Sequence, residues 1–150
     1  MKTIDTIGDR ILQILSEEGR ISNQDLAARV GLSPSACLRR VQEFERMGII
    51  KGYRAVLDPR ALGRAFTAYV AVGLAEHSQA AQLAFERAII AAPQVRECHN
   101  VTGTIEYLLR VECDGLESYK SFHTETLGAA PGVRAITSYI VMASPKDARA

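Results

Sequence analysis

The stretch "GLSPSACLRRVQEF", residues 31–44, sets two adjacent arginines one turn inside a segment with an apolar stripe. Ser33 is a natural helix N-cap, Pro34 suits the first helical position, and Gly48 suits the stop. At helical spacing Leu38, Val41 and Phe44 fall on one side as the expected buried seam. Ser35, Arg39, Glu43 and Arg46 fall on the other, flanked by Ala36 and Arg40. Guanidinium groups pair with guanine edges and with phosphate, and short side chains let a helix approach a base edge closely. The pattern therefore points to double-stranded DNA, with Ser35, Ala36, Arg39 and Arg40 near base edges and Ser33, Lys51 and Arg54 near the backbone. The plainer reading, a solvated Arg-Arg face, explains the arginines but not the cap, turn and stripe that come with them.

A second stretch, "VTGTIEY" at residues 101–107, has the makings of a small-molecule turn. Gly103 permits close backbone approach, Thr102 and Thr104 offer hydroxyls, and Glu106 offers a carboxylate, so a small zwitterion could be held there. An empty hairpin turn is the alternative. Nothing in the chain resembles catalytic machinery: His77, His99 and His123 are scattered, no nucleophile–base motif occurs, and no glycine loop could cradle a phosphate. Cys37, Cys98 and Cys113 form no C-x-x-C pair, and Cys98 and His99 as strand neighbours would point to opposite faces. Neither an enzyme, a metal site nor a cofactor is expected, and the thiols are expected to be reduced and mostly buried.

The elements that must position these residues are legible from periodicity. "IDTIGDRILQILSEEGR" spaces six aliphatic residues as one helix, with Gly19 expected to end it in a left-handed turn. "ISNQDLAARVGL" starts again at Ser22 and stops at Gly31, so "GLS" separates two short helices in a helix-turn-helix arrangement. "IIKGYRAVLDP" alternates β-formers with basic residues and reads as an exit strand. The domains expected are a helix-turn-helix over 1–52, a linker strand over 53–64 and a second domain over 65–150.

That second domain contains a repeat. "AFTAYVAVGLA", "SQAAQLAFERAIIAA" and "QVRECHNV" read as strand, helix and strand, and so do "EYLLRVEC", "GLESYKSFHTETLG" and "GVRAITSYIVM". An offset of 38 superposes Tyr69 on Tyr107, Pro93 on Pro131, Val95 on Val133 and Arg96 on Arg134. Two tandem βαβ units describe a ferredoxin-like βαββαβ domain, α+β in class, with both helices on one face of an antiparallel sheet. The other face is expected to be uncovered and largely apolar, which calls for a second copy of the chain.

Composition sets the remaining bounds. The chain has 150 residues, 47% of them hydrophobic and 23% charged, with a net charge of +1. Residues 1–60 hold ten Lys and Arg against eight Asp and Glu, so any grip on a polyanion must come from placement and from several copies of the site. No apolar run is long enough to span a bilayer, and the start "MKTIDTIGDR" carries Asp5 and Asp9 where a secretory signal would be apolar. A cytoplasmic protein without membrane contact is expected.

The run "GRISNQDLAARVGLSPSACLRRVQEFERMGIIKGYRAVLDPRALG", with "RECHNVTGTIEYLLRVE" and "AAPGVRAITSYIVM", resembles the Lrp/AsnC, or feast/famine, family of regulators over nearly the whole chain. The resemblance implies a winged helix-turn-helix half, a ferredoxin-like effector half, and dimers that assemble further, to octamers or similar rings. It also implies an amino-acid effector held near the second hairpin, by Val101, Thr102, Gly103, Thr104, Glu106 and Tyr107, with Thr137 and Ser138 on the last strand. The family's "GDxDYLL" pattern is altered here, with Thr104 at the first acidic position and Glu106 at the second. An architectural protein that wraps DNA without a ligand is the alternative function.

Overall fold

Asp5, Ser22 and Ser33 each accept a hydrogen bond from a backbone N–H three residues ahead, and these three caps start the three helices of the first unit. They are α1 (Thr6–Glu17), α2 (Asn23–Val30) and α3 (Pro34–Arg46). The computed structural model describes residues 4–147, and the chain divides into two units, Met1–Ala55 and Val56–Ala150. The outermost residues of the two expected domains, 1–3 and 148–150, lie outside the described residues.

The core of the first unit is Ile11, Leu26, Ala27, Val30, Cys37 and Phe44, with Ile7, Val41 and Ile50 packed around it. Gly8 lets α1 lie close to α3, because a Cβ there would meet Ile4 Cγ2 at 2.8 Å and Phe44 Cζ at 3.0 Å. Gly31, at φ 70°, makes the left-handed turn that frees α3 to set out in a new direction. Two expectations are corrected. Leu38 is 45% exposed, and the buried stripe of α3 is Cys37, Val41 and Phe44, since positions four and seven apart stack on one face. Gly19 is not among the glycines with positive φ: α1 ends at Glu18, whose N–H returns to the Ile14 carbonyl.

The exit strand is also corrected. No strand occurs between α3 and Phe66 among the described residues, so neither the linker strand over 53–64 nor a wing strand is seen. A strand exists only as part of a ladder, and residues 49–58 have no partner strand beside them. Tyr53 instead turns back on the first unit and donates its hydroxyl to Glu45 Oε1 at 3.0 Å, while Val56 and Leu57 stand exposed.

The second unit runs β1 (Phe66–Leu74), α4 (Gln79–Ile90), β2 (Val95–Asn100), β3 (Tyr107–Cys113), α5 (Leu116–Ser121) and β4 (Val133–Ile140). The sheet order β2-β3-β1-β4, antiparallel at every pair, is that of a ferredoxin-like domain. Ala68, Val70, Val72 and Leu74 of β1 and Tyr107, Leu109, Val111 and Cys113 of β3 form the core with Phe85, Ile89, Tyr119, Phe122 and Leu127 from the helical layer. Beyond α5 the helix widens into a π-helical segment, Phe122–Leu127, closed by the Gly128 N–H on the His123 carbonyl at 2.9 Å. Residues five apart in an α-helix diverge by roughly 140°, so the wider turn is what puts both Phe122 and Leu127 into the core. A Cβ on Gly128 would lie 3.1 Å from the Thr124 carbonyl oxygen.

The repeat is present element by element but slips within its first strand. Tyr107 pairs with Val72 and lies in the core, whereas Tyr69 pairs with Arg110 on the opposite face, so superposing the two tyrosines puts them on different sides of the sheet. The uncovered face is also less apolar than expected. Beside Tyr69, Ala71 and Leu108 it carries Arg110 between Glu97 (3.9 Å) and Glu112 (2.5 Å), with Arg96 3.4 Å from Glu112. Glu112 is only 8% exposed although no helix covers it, because the two arginines close over it.

Candidate nucleic-acid interface and effector turn

The start of α3 is fixed from two directions. Ser33 Oγ accepts the Ala36 N–H at 3.3 Å, and the Asn23 side-chain amide donates to the Pro34 carbonyl at 2.9 Å, tying α2 to the first turn of α3. Ser33, Ser35 and Arg39 are exposed and Ala36 is half-buried, so the first two turns present short side chains and one long cation. Lys51 and Arg54 are exposed on the segment that leaves the unit.

Arg40 is placed differently from the expectation that it faces a base edge. Its two terminal nitrogens donate to the two oxygens of Asp5, at 2.6 and 2.9 Å. Asp5 also caps α1 through the Gly8 N–H at 2.8 Å, so one carboxylate holds the start of α1 and the middle of α3 together. These bonds, the one from Arg40 first, lower the Asp5 pKa from 3.8 to about 2. The other end of α1 is tied in the same way, with both oxygens of Glu18 accepting from Arg29 of α2. Bidentate pairing fixes direction as well as distance. Two of the unit's arginines are thereby braces, while Arg39 has no such partner among the described residues. Arg39, Arg40 and Glu43 line a cleft of about 460 Å³ together with Ile4, Phe44 and Met47. From the sequence Asp5 is legible only as a charge near the chain start; its role as the partner of Arg40, 35 residues away, left no local signal.

In the second unit the turn after β2 is closed by the Val101 N–H on the Glu106 carbonyl, at 2.9 Å. Gly103 has φ 137°, a conformation that other residues rarely adopt. Thr102, Gly103 and Thr104 are exposed, and the N–H groups from Thr102 to Ile105 have no protein partner among the described residues. Glu106 does not reach outward. A bulge between Gly73 and Leu74 takes the Leu74 N–H out of the ladder, and Glu106 Oε2 accepts it at 2.6 Å. Glu106 Oε1 lies 3.1 Å from His77 Nδ1, and the carboxylate side chain is 15% exposed. His77 was not singled out by its sequence context.

The eight residues expected at the effector site are split by the pleat. Val101 to Glu106 form the turn, and Thr137, opposite Ala71, shares the uncovered face with Glu106. Tyr107 points the other way. It is 1% exposed, packs on Phe85 at 4.7 Å, and donates its hydroxyl to Glu86 Oε1 at 2.8 Å. Burial first, then that bond, push its pKa up to about 12. Ser138 pairs with Val70 on the helix side, where its hydroxyl meets the Tyr119 hydroxyl. Tyr107 is closed to a ligand at the turn, and Ser138, although exposed, lies on the other side of the sheet from Thr137, because successive residues of a strand alternate in face. Among the described residues no three His, Cys, Asp or Glu side chains converge as a metal site, and Cys37, Cys98 and Cys113 are free thiols.

A capped helix braced within a three-helix unit, followed by an α+β domain with an exposed glycine turn, is the arrangement of a two-part regulator with a DNA-binding unit and a ligand-binding domain. Comparison with known proteins agrees for each half. Residues 4–51 match a model described as winged helix-turn-helix DNA-binding, and residues 67–150 match the Lrp/AsnC ligand binding domain. The leucine-responsive regulatory protein of Escherichia coli is 38% identical over 146 residues, 97% of this chain and 89% of that protein. A transcriptional regulator of Neisseria meningitidis solved with L-Met superposes with a TM-score of 0.92 at 33% identity, covering 97% of this chain and 94% of that one. The feast or famine regulatory protein of M. tuberculosis complexed with L-methionine gives 0.87 at 28% identity, with 97% and 96% covered. The chain belongs to the Lrp/AsnC family of transcriptional regulators. Among the described residues no helix is long and apolar enough to cross a membrane.

Proposed function

We propose that this chain reads regulatory DNA through the first two turns of α3, and that an amino acid bound at the Thr102–Glu106 turn changes its grip or its assembly. The observation that carries the DNA half is the division of labour among the arginines: Arg40 and Arg29 are tied back to Asp5 and Glu18, and Arg39, exposed and without a partner among the described residues, stands on a doubly anchored helix start. On this reading Ser35, Ala36 and Arg39 lie near base edges, Ser33, Lys51 and Arg54 lie near phosphate, and Arg40 is engaged with Asp5 and makes no DNA contact. A second copy covers the open sheet face, with the Arg96–Glu112–Arg110–Glu97 cluster at the contact, and dimers assemble further, to an octamer. The protein works in the cytoplasm with no catalytic cofactor. That relatives have been solved with L-methionine, and that another is leucine-responsive, makes an aliphatic or thioether amino acid the first effector to try.

The experiment is to select duplexes from a random pool with the intact protein, then to repeat the titration with each of the twenty common L-amino acids at fixed salt. A selected site and an amino acid that shifts its affinity or the assembly are expected. Failure to prefer any duplex over random DNA would overturn the DNA half. The committed carboxylate of Glu106 and the hydroxyl at Thr104 favour one other reading, an architectural protein without a ligand. DNA wrapping with no response to any amino acid would support it.

A further inference from the structure

The turn from Thr102 to Ile105 offers four N–H groups without partners among the described residues, three of them on exposed residues. Successive free N–H groups suit an anion such as the carboxylate of an amino acid. A zwitterion also needs an acceptor for its ammonium group. The only carboxylate of the turn, Glu106, has one oxygen on the Leu74 N–H and the other on His77 Nδ1. That arrangement orients the imidazole. With Nδ1 turned to Glu106, Nε2 is the ring nitrogen left for another partner, on a side chain that is 75% exposed.

Resting on the reading of the turn as an amino-acid site, we propose that His77 is a recognition residue of that site, accepting the effector's ammonium at Nε2 while the turn's N–H groups take its carboxylate. Glu106 is then a positioning residue. It spans the bulge at Gly73/Leu74 and the loop before α4, and it fixes which nitrogen of His77 faces outward. This accounts for a half-buried carboxylate beside the turn with both oxygens already engaged, where a direct ammonium contact would need one of them free. Among the described residues no other titratable side chain pairs with His77.

The test uses the intact protein and isothermal titration. The tightest of the twenty L-amino acids is carried forward with its des-amino analogue, which keeps the carboxylate and lacks the ammonium. For the parent, the amino acid is expected to bind roughly ten- to a hundredfold more tightly than the analogue, the range for one hydrogen bond to a charged group. In His77→Ala that preference collapses and the analogue's affinity is unchanged; in His77→Gln, which keeps an acceptor, part of it returns. A merely structural role would lower both affinities together. His77→Ala with its preference intact overturns the role of His77 while leaving the effector reading standing. No binding of any amino acid by the parent overturns both.

Discussion

Arg39 and Arg40 are neighbours in sequence, and the structure assigns them different work, which a pair of substitutions separates. For Arg40 to touch DNA it must first release two charge-assisted bonds to Asp5, at 2.6 and 2.9 Å, so a phosphate or guanine would replace an interaction it already has. Arg39 surrenders nothing comparable. Arg39→Ala should therefore lose about 1–3 kcal/mol at a selected site, roughly 5- to 150-fold, and should relax preference at one base pair. Arg40→Ala should bind within about threefold of the parent, under ~0.7 kcal/mol, with its discrimination intact. The assay is fluorescence anisotropy against the selected duplex and its point variants at one salt concentration, since affinities compared across salts mislead. Circular dichroism confirms that each variant is folded. Equal losses for the two substitutions in folded proteins, with matching changes in base preference, would refute the assignment of Arg40 as a brace.

Three other outcomes follow from the same geometry. Asp5→Asn keeps a capping oxygen and removes the charge, so it isolates the ion pair. Because the folded pKa of Asp5 is lowered from 3.8 to about 2, its contribution to stability is complete above about pH 4 and is lost as pH falls toward 2. Acid titration of parent and variant should therefore converge below that window and diverge above it; parallel curves would contradict the pair. Tyr107→Phe removes the bond to Glu86 and should cost about 1 kcal/mol in a denaturant melt while effector affinity holds, whereas a loss of affinity without a loss of stability would return Tyr107 to the site. Lys51→Ala should weaken binding to all duplexes alike and reduce the slope of log K against log salt by about 1, and an unchanged slope would remove Lys51 from the backbone contacts.

What the sequence revealed and what it concealed divide along the range of the interaction. Caps and stops are local: Ser22 before "NQD", Ser33 before Pro34 and Ser78 before α4 all cap where their spacing to the apolar stripe required, and Gly31 takes its left-handed turn. The βαβ repeat is equally local in each half, so the sheet order followed from it. Interactions across long separations left no periodic trace. The partner of Arg40 lies 35 residues upstream, and the side chain bonded to Glu106 belongs to a loop 29 residues before it. The exit segment misled for a related reason. Tyr53, Val56 and Leu57 carry strand-forming side chains, but a ladder needs a second strand, and a single chain does not supply one there.

The effector turn shows how much hangs on parity in a sheet. "IEYLL" reads as one patch, but Glu106 and Leu108 face the uncovered side while Tyr107 and Leu109 enter the core, and in β4 Thr137 and Ser138 part in the same way. The register therefore halves any site assembled from consecutive strand residues, and the missing half must come from elsewhere on the same side. On the proposal made above, the bulge at Gly73/Leu74 supplies it. By releasing one N–H from the ladder it gives Glu106 an anchor, and the second oxygen of that carboxylate reaches a histidine on the far side of the bulge. An irregularity that costs the sheet one ladder bond thus gives Glu106 an N–H to hold, which a regular strand in this register would not offer.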